Sequence, residues 1–155
     1  MNKKLTIAAA LLIFYFMSTK TAFAKTTTSN KIRTQDVHGS GAFGAPRGNR
    51  QHEGEDYITY PGETIFAPIS GTVTRYPFPY ASDLNFRGIE IKNAEYDVKI
   101  FYLSPTAKIN SVVQAGQTIG IAQNIAGKYS PGMQNHIHIE VRNKAGKLIP
   151  FSTLL

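Results

Sequence analysis

Asn135-His136-Ile137-His138-Ile139-Glu140-Val141 alternates strictly between polar and apolar residues. That period of two is the mark of a half-buried strand: Ile137, Ile139 and Val141 face a core, and His136, His138 and Glu140 share the opposite face. Two imidazoles then stand about 6.8 Å apart at their Cα atoms. A metal ion could take either ring directly and leave the other beside it. The plainer reading is a polar strand face with two solvated rings. The chain has only 4 His, and half of them fall in this one His-Ile-His unit.

Upstream, Arg50-Gln51-His52-Glu53-Gly54-Glu55-Asp56-Tyr57 holds a second group of ligand-type residues. His52 and Asp56 are four apart, but Gly54 and the loop-like flanks speak against a helix. A bend at Gly54 leading into a strand at 57–60 can fold both side chains toward one point. Alone, the stretch reads equally as a charged surface turn, with Glu53 and Glu55 in solvent.

The remaining chain is β in pattern. Strands are expected at 64–67, 71–76, 88–92, 98–103 and 117–121, separated by Pro and Gly turns. No segment sustains a helical period with caps. Many short strands imply an all-β fold, an antiparallel sandwich or open barrel-like sheet with few helices. The loop 76–85, rich in Pro and aromatic residues, is a candidate cleft rim. The stretch 32–48 is rich in turn residues and reads as loop.

Length and charge limit the rest. A chain of 155 residues, 42% hydrophobic, fits one compact domain. Residues 1–24 read as a secretory signal peptide: Lys3 and Lys4, an apolar run from Leu5 to Met17, and Ala22-Phe23-Ala24 as the cleavage site. The apolar run is short for a membrane span. Secretion or a periplasmic location follows, with no stable membrane insertion after cleavage. Residues 25–31 read as a flexible leader and 32–155 as a single domain. Without Lys3, Lys4 and Lys20, the 17 basic residues fall to 14 against 10 acidic ones, a charge of +4. That excess does not argue for nucleic acid, but it suits adhesion to a polyanionic surface such as a bacterial envelope. There is no Cys, so any metal site must use His, Asp and Glu.

The order of these pieces resembles a known family. The His52-to-Asp56 turn is followed by Ala67-Pro-Ile-Ser-Gly-Thr-Val73, then Val113-Gln-Ala-Gly-Gln-Thr-Ile-Gly120, then His136-Ile-His138. This is similar to the lysostaphin-type, or LytM-like, zinc metallopeptidases that cut peptide cross-links in peptidoglycan. The resemblance implies an antiparallel β fold with an open groove. It implies that His52, Asp56 and His138 hold Zn²⁺ and that His136 is a catalytic residue beside it. Within that family, Ile32-Arg33-Thr34, Asp36, His38-Gly39, Gly41 and Pro131-Gly132-Met133-Gln134 resemble the leukocyte cell-derived chemotaxin branch. That branch implies zinc binding without demonstrated peptidase activity. Its cysteines would fall at Gln35 and Ser40, so its disulfide is absent. The peptidases carry a further catalytic His in a Tyr-x-His-Leu strand, and Tyr102 stands there in Phe101-Tyr102-Leu103.

Two imidazoles and one carboxylate leave a fourth position on zinc open, as in catalytic sites. His136 is placed to move a proton. Tyr102 either donates its phenol to an oxyanion or packs as a strand aromatic. Glu140 either orients one imidazole or is an exposed strand residue. His38 lies in a loop, either structural or exposed, or near the groove. Two functions follow as expectations. One is a secreted zinc endopeptidase acting on peptidoglycan peptides. The other is a zinc-binding recognition module of the same fold with weak or no activity.

Overall fold

The computed structural model describes residues 21–129 and 131–155. Most of the signal-peptide reading lies outside them. Twelve strands are present among the described residues: β1 Pro46–Arg47, β2 Arg50–Gln51, β3 Glu55–Ile58, β4 Thr64–Phe66, β5 Gly71–Arg75, β6 Gly88–Lys92, β7 Tyr96–Phe101, β8 Leu103–Pro105, β9 Val112–Val113, β10 Thr118–Ala122, β11 His136–Asn143 and β12 Leu148–Ile149. Helix is confined to one turn, α1 Ile125–Lys128, and a 3₁₀ turn at Phe151–Thr153. The fold is all-β and antiparallel, as the alternation implies.

The larger sheet runs β12-β11-β7-β6-β5-β9, with β3 pairing the first half of β11. A three-stranded sheet, β4-β10-β8, packs beside it, and β1-β2 forms a hairpin. Alternation along β11 does what it should: Ile137, Ile139 and Val141 are buried. They join Val73, Ile89, Ile91, Val98 and Ile100 on the same side, with Ile65, Leu103 and Ile119 from the smaller sheet closing the core. Burial of that many branched aliphatics, each worth roughly 1.5–3 kcal/mol, fixes the register of β11. A one-residue slip would send both His into the core. Among the described residues no helix is long and apolar enough to cross a membrane.

Four local expectations change. Asp56 is not in the bend but on β3, which starts at Glu55 and ends at Ile58. The single strand expected over 98–103 is broken at Tyr102, whose φ of 67° lies in the left-handed region. The loop 32–48 contains β1, and Gly48 at φ 66° turns it back into β2. Residues 25–31, expected as a flexible leader, lie along the domain. Thr26 and Thr27 are buried, the Phe66 amide donates to the Thr26 carbonyl, and the Ile58 amide donates to the Lys31 carbonyl. Backbone pairing of this kind leaves no sign in side-chain pattern, which is why a polar stretch reads as free.

Candidate metal centre and groove

Three elements bring the ligand-type residues together. In the β3–β11 ladder Asp56 is the direct partner of His138, and Tyr57 that of Ile137. Opposite residues of an antiparallel pair project to the same face, so the Asp56 carboxylate and the His138 ring must meet. His52 arrives from the β1–β2 hairpin, whose ladder its amide extends by donating to the Ala45 carbonyl. Between His52 and Asp56 the chain passes hard against β11 at Gly54. A Cβ there would collide with the Ile139 carbonyl and lie 2.8 Å from the His138 ring. Glycine is what allows the ligands to converge.

The convergence is tight. His52 Nε2 lies 3.0 Å from His138 Nδ1 and 3.2 Å from Asp56 Oδ1, and His138 Nδ1 lies 2.9 Å from Asp56 Oδ1. His52, Asp56 and His138 thus form a group that could hold a metal ion. Ligand bonds of about 2.0–2.1 Å in a tetrahedron give edges of about 3.4 Å, so the triangle needs to open by only a few tenths of an ångström. Two nitrogens and one oxygen are also a donor set that zinc accepts.

The atoms not facing the centre are tethered. His52 Nδ1–H donates to the Ala42 carbonyl at 2.9 Å, which leaves the Nε2 lone pair for the centre. Glu140 Oε1 lies 3.4 Å from His138 Nε2, so Glu140 orients that ring from the neighbouring strand position. Asp56 Oδ2 accepts from Arg33 Nε at 3.2 Å and Nη2 at 3.0 Å. Arg33 is itself buried, and its Nη1 reaches Asp36 Oδ2 and the Gly39 carbonyl. Reading by composition missed Arg33, although it stands in the Ile-Arg-Thr segment that carries the chemotaxin resemblance. Burial opposes ionisation of Asp56, but hydrogen bonds to His138 and His52 outweigh it and hold the carboxyl far below the usual range. Burial also works against a charged His138, yet its bonds to Asp56 and Glu140 raise the metal-free ring to about 9.

His136 differs from these. Its Nδ1–H donates to the Gln134 carbonyl at 2.7 Å, and its Nε2 lies 3.8 Å from Asp56 Oδ2, with no closer partner among the described residues. Burial holds its pKa below the ordinary value against the pull of Asp56, so the ring is neutral at pH 7. A neutral imidazole with an unshared pair beside a metal-type centre can accept a proton.

Tyr102 stands edge-on to His136, ring centres 5.5 Å apart. Its hydroxyl is 3.1 Å from that of Tyr80, and the Tyr129 hydroxyl donates to Tyr80 at 2.9 Å. Since Tyr80 accepts from Tyr129, its own proton is free for Tyr102, and the Tyr102 proton is left for the groove. Burial raises the phenol's pKa, so it stays protonated. A cavity runs over the centre between the Arg50 hairpin and this wall, with Phe78, Tyr80 and Tyr129 along one side. The loop 76–85 is therefore a groove rim. His38 lines the same cavity, its ring 5.7 Å from Tyr129.

Among curated proteins the chain is 34% identical to bovine (Bos taurus) leukocyte cell-derived chemotaxin-2 over 114 residues, covering 73% of this chain and 74% of that protein. With the mouse (Mus musculus) protein it shares 32% over 135 residues, covering 86% and 88%. The chain belongs to the leukocyte cell-derived chemotaxin-2 family. No family model matches it. Solved structures place the fold of this chemotaxin-2 relative among LytM-type peptidases. Csd3 of Helicobacter pylori superposes with TM-score 0.61 at 19% identity, over 86% of this chain and 33% of that one. A zinc-containing peptidase of Vibrio cholerae gives 0.54 at 23%, over 83% and 38%. The catalytic domain of lysostaphin from Staphylococcus simulans gives 0.51 at 20%, over 74% and 88%. At such identities the likeness is one of fold.

Proposed function

We propose that this protein is a zinc endopeptidase that cuts peptide cross-links of bacterial peptidoglycan, secreted or periplasmic after cleavage behind Ala24. The observation that carries the reading is the placing of three imidazoles: His52 Nε2 and His138 Nδ1 converge on Asp56 Oδ1, while the His136 Nε2 stands aside, 3.8 Å from Asp56 Oδ2. Zinc held by His52, Asp56 and His138 supplies Lewis-acid activation of a carbonyl and of water. His136 takes the proton of the attacking water and returns it to the departing amine. Tyr102 donates its phenol to the oxygen on which charge develops, in the place where the resembling peptidases use His. Arg33 and Glu140 hold the ligands.

A second reading has its own support. Membership of the chemotaxin-2 family and the Tyr102 hydroxyl engaged with Tyr80 suit a zinc-stabilised recognition module. One assay separates the two. Zinc-loaded protein incubated with purified peptidoglycan of several cross-link types should release soluble fragments, and a chelator should stop it. Cosedimentation with peptidoglycan without release would establish the module instead.

A further inference from the structure

Arg47 and Arg50 are direct partners across the β1–β2 hairpin, joined by the two-residue turn Gly48-Asn49. Like charges placed directly opposite in an antiparallel pair repel. Both line the groove over the metal-type centre. Arg47 is partly committed: its Nη2 donates to the Ser40 carbonyl and lies 3.7 Å from Asp56 Oδ2. Arg50 is exposed and, among the described residues, forms no ion pair. It precedes His52 by two residues on a ladder that His52 extends, so their Cα atoms are about 6.8 Å apart and their side chains share a face. Local rules are broken mainly at functional or strained sites, and this one is broken on the rim of the groove.

We infer that the β1–β2 hairpin is a carboxylate-binding site, in which Arg50 takes the carboxylate of a wall peptide one or two residues from the bond lying over the centre. The inference rests on the reading that the groove receives wall peptides. It narrows their class to stems bearing a free carboxylate and excludes bridges built only of neutral residues. A guanidinium presents two parallel N–H groups to a carboxylate, which gives orientation as well as attraction. The partly tethered Arg47 adds positive potential behind it.

The test is calorimetric binding of two stem peptides of identical sequence, one with free side-chain and terminal carboxylates and one with them amidated. The purified zinc-loaded protein should bind the acid form at least about tenfold more tightly, with the preference shrinking as salt rises. Arg50→Gln should erase the preference while zinc content and circular dichroism stay unchanged, and Arg50→Lys should retain part of it. Equal affinity for the two peptides, no binding of either, or a preference undiminished in Arg50→Gln would overturn the inference. So would Arg50-dependent binding of soluble teichoic acid, a phosphate polymer, with both peptides bound alike. The hydrolase reading fails separately: an intact acid preference without fragment release removes hydrolysis and leaves the carboxylate site standing.

Discussion

The two sides of the groove are built on opposite plans. On the ligand side, every spare atom is tied down. His52 is held by the Ala42 carbonyl, His138 by Glu140, and Asp56 by the buried Arg33, so that His52 Nε2, His138 Nδ1 and Asp56 Oδ1 all point the same way. On the facing side, Tyr102, Tyr80 and Tyr129 satisfy one another through their hydroxyls, and the chain is bent at Tyr102 into a backbone region that bulky residues seldom adopt. The ligand side is preorganised by a buried cation, a carboxylate and a backbone carbonyl behind it, the phenol side by hydroxyls that bond one another. Preorganisation of the first kind creates a binding point, whereas the second creates a donor whose position depends on its neighbours. Backbone strain at Tyr102 is maintained because the Tyr102 amide donates to the Arg87 carbonyl and its own carbonyl accepts from the Gln123 amide.

The largest break in this contrast is removal of a ligand. His138→Ala or Asp56→Ala should abolish stoichiometric zinc, as read by metal analysis after dialysis, because two ligands cannot sustain the site. Full occupancy in either variant would remove that residue from the centre. On the facing side, Tyr102→Phe should lower turnover by roughly 10²–10³ with zinc content unchanged. Undiminished hydrolysis in Tyr102→Phe would take the phenol out of the mechanism. Arg33→Met probes the tether and not the ligand. Zinc affinity should fall by roughly 10–100-fold, and unfolding should become easier by about 3–5 kcal/mol, since the buried Asp56 carboxylate loses its main cation. Unchanged zinc titration in that variant would show that Asp56 needs no support from below.

The smallest contrast lies further along the open face of the same sheet, where Glu90 accepts from Thr74 and Arg75. Burial works against ionisation of Glu90, but those bonds prevail and lower its pKa from 4.5 to about 2. A folded pKa below the unfolded one means that the stabilisation is complete above the unfolded value and lost as pH falls toward the folded one. The difference in unfolding free energy between the native protein and Glu90→Gln should therefore be constant at neutral pH and shrink from about pH 4.5 downward. A difference independent of pH over that window would contradict the ion pair.

Much of this was legible in the residues. Alternation at 135–141 gives β11, its core face and the shared face of His136 and His138, because period two translates directly into sidedness. The meeting of His52, Asp56 and His138 comes from the family pattern, not from spacing: four residues around Gly54 allow a helix face, a bend or a surface turn. The structure replaces the bend by a ladder in which Asp56 is the partner of His138. What stayed hidden depends on contacts distant in sequence. Arg33 lies 23 residues from Asp56, and its bonds have no local signature. Tyr80 and Tyr129 are 49 residues apart, and nothing in either loop announces the other. The break at Tyr102 escaped because Val98 to Leu103 carries a continuous strand composition, whereas φ at one residue is set by the two sheets that meet there. Thr26 and Thr27 were hidden for the reverse reason: a polar segment can be docked by backbone bonds, such as Phe66 amide to Thr26 carbonyl, that its composition does not show.

The central claim is that two imidazoles and Asp56 hold the metal while His136 moves the proton. It is tested most directly by measuring zinc affinity and peptidoglycan fragment release on one preparation of His136→Ala beside the native protein. The expected result is zinc affinity within about tenfold of native, with release abolished. Loss of zinc as complete as in His138→Ala, or release at the native rate, would contradict it.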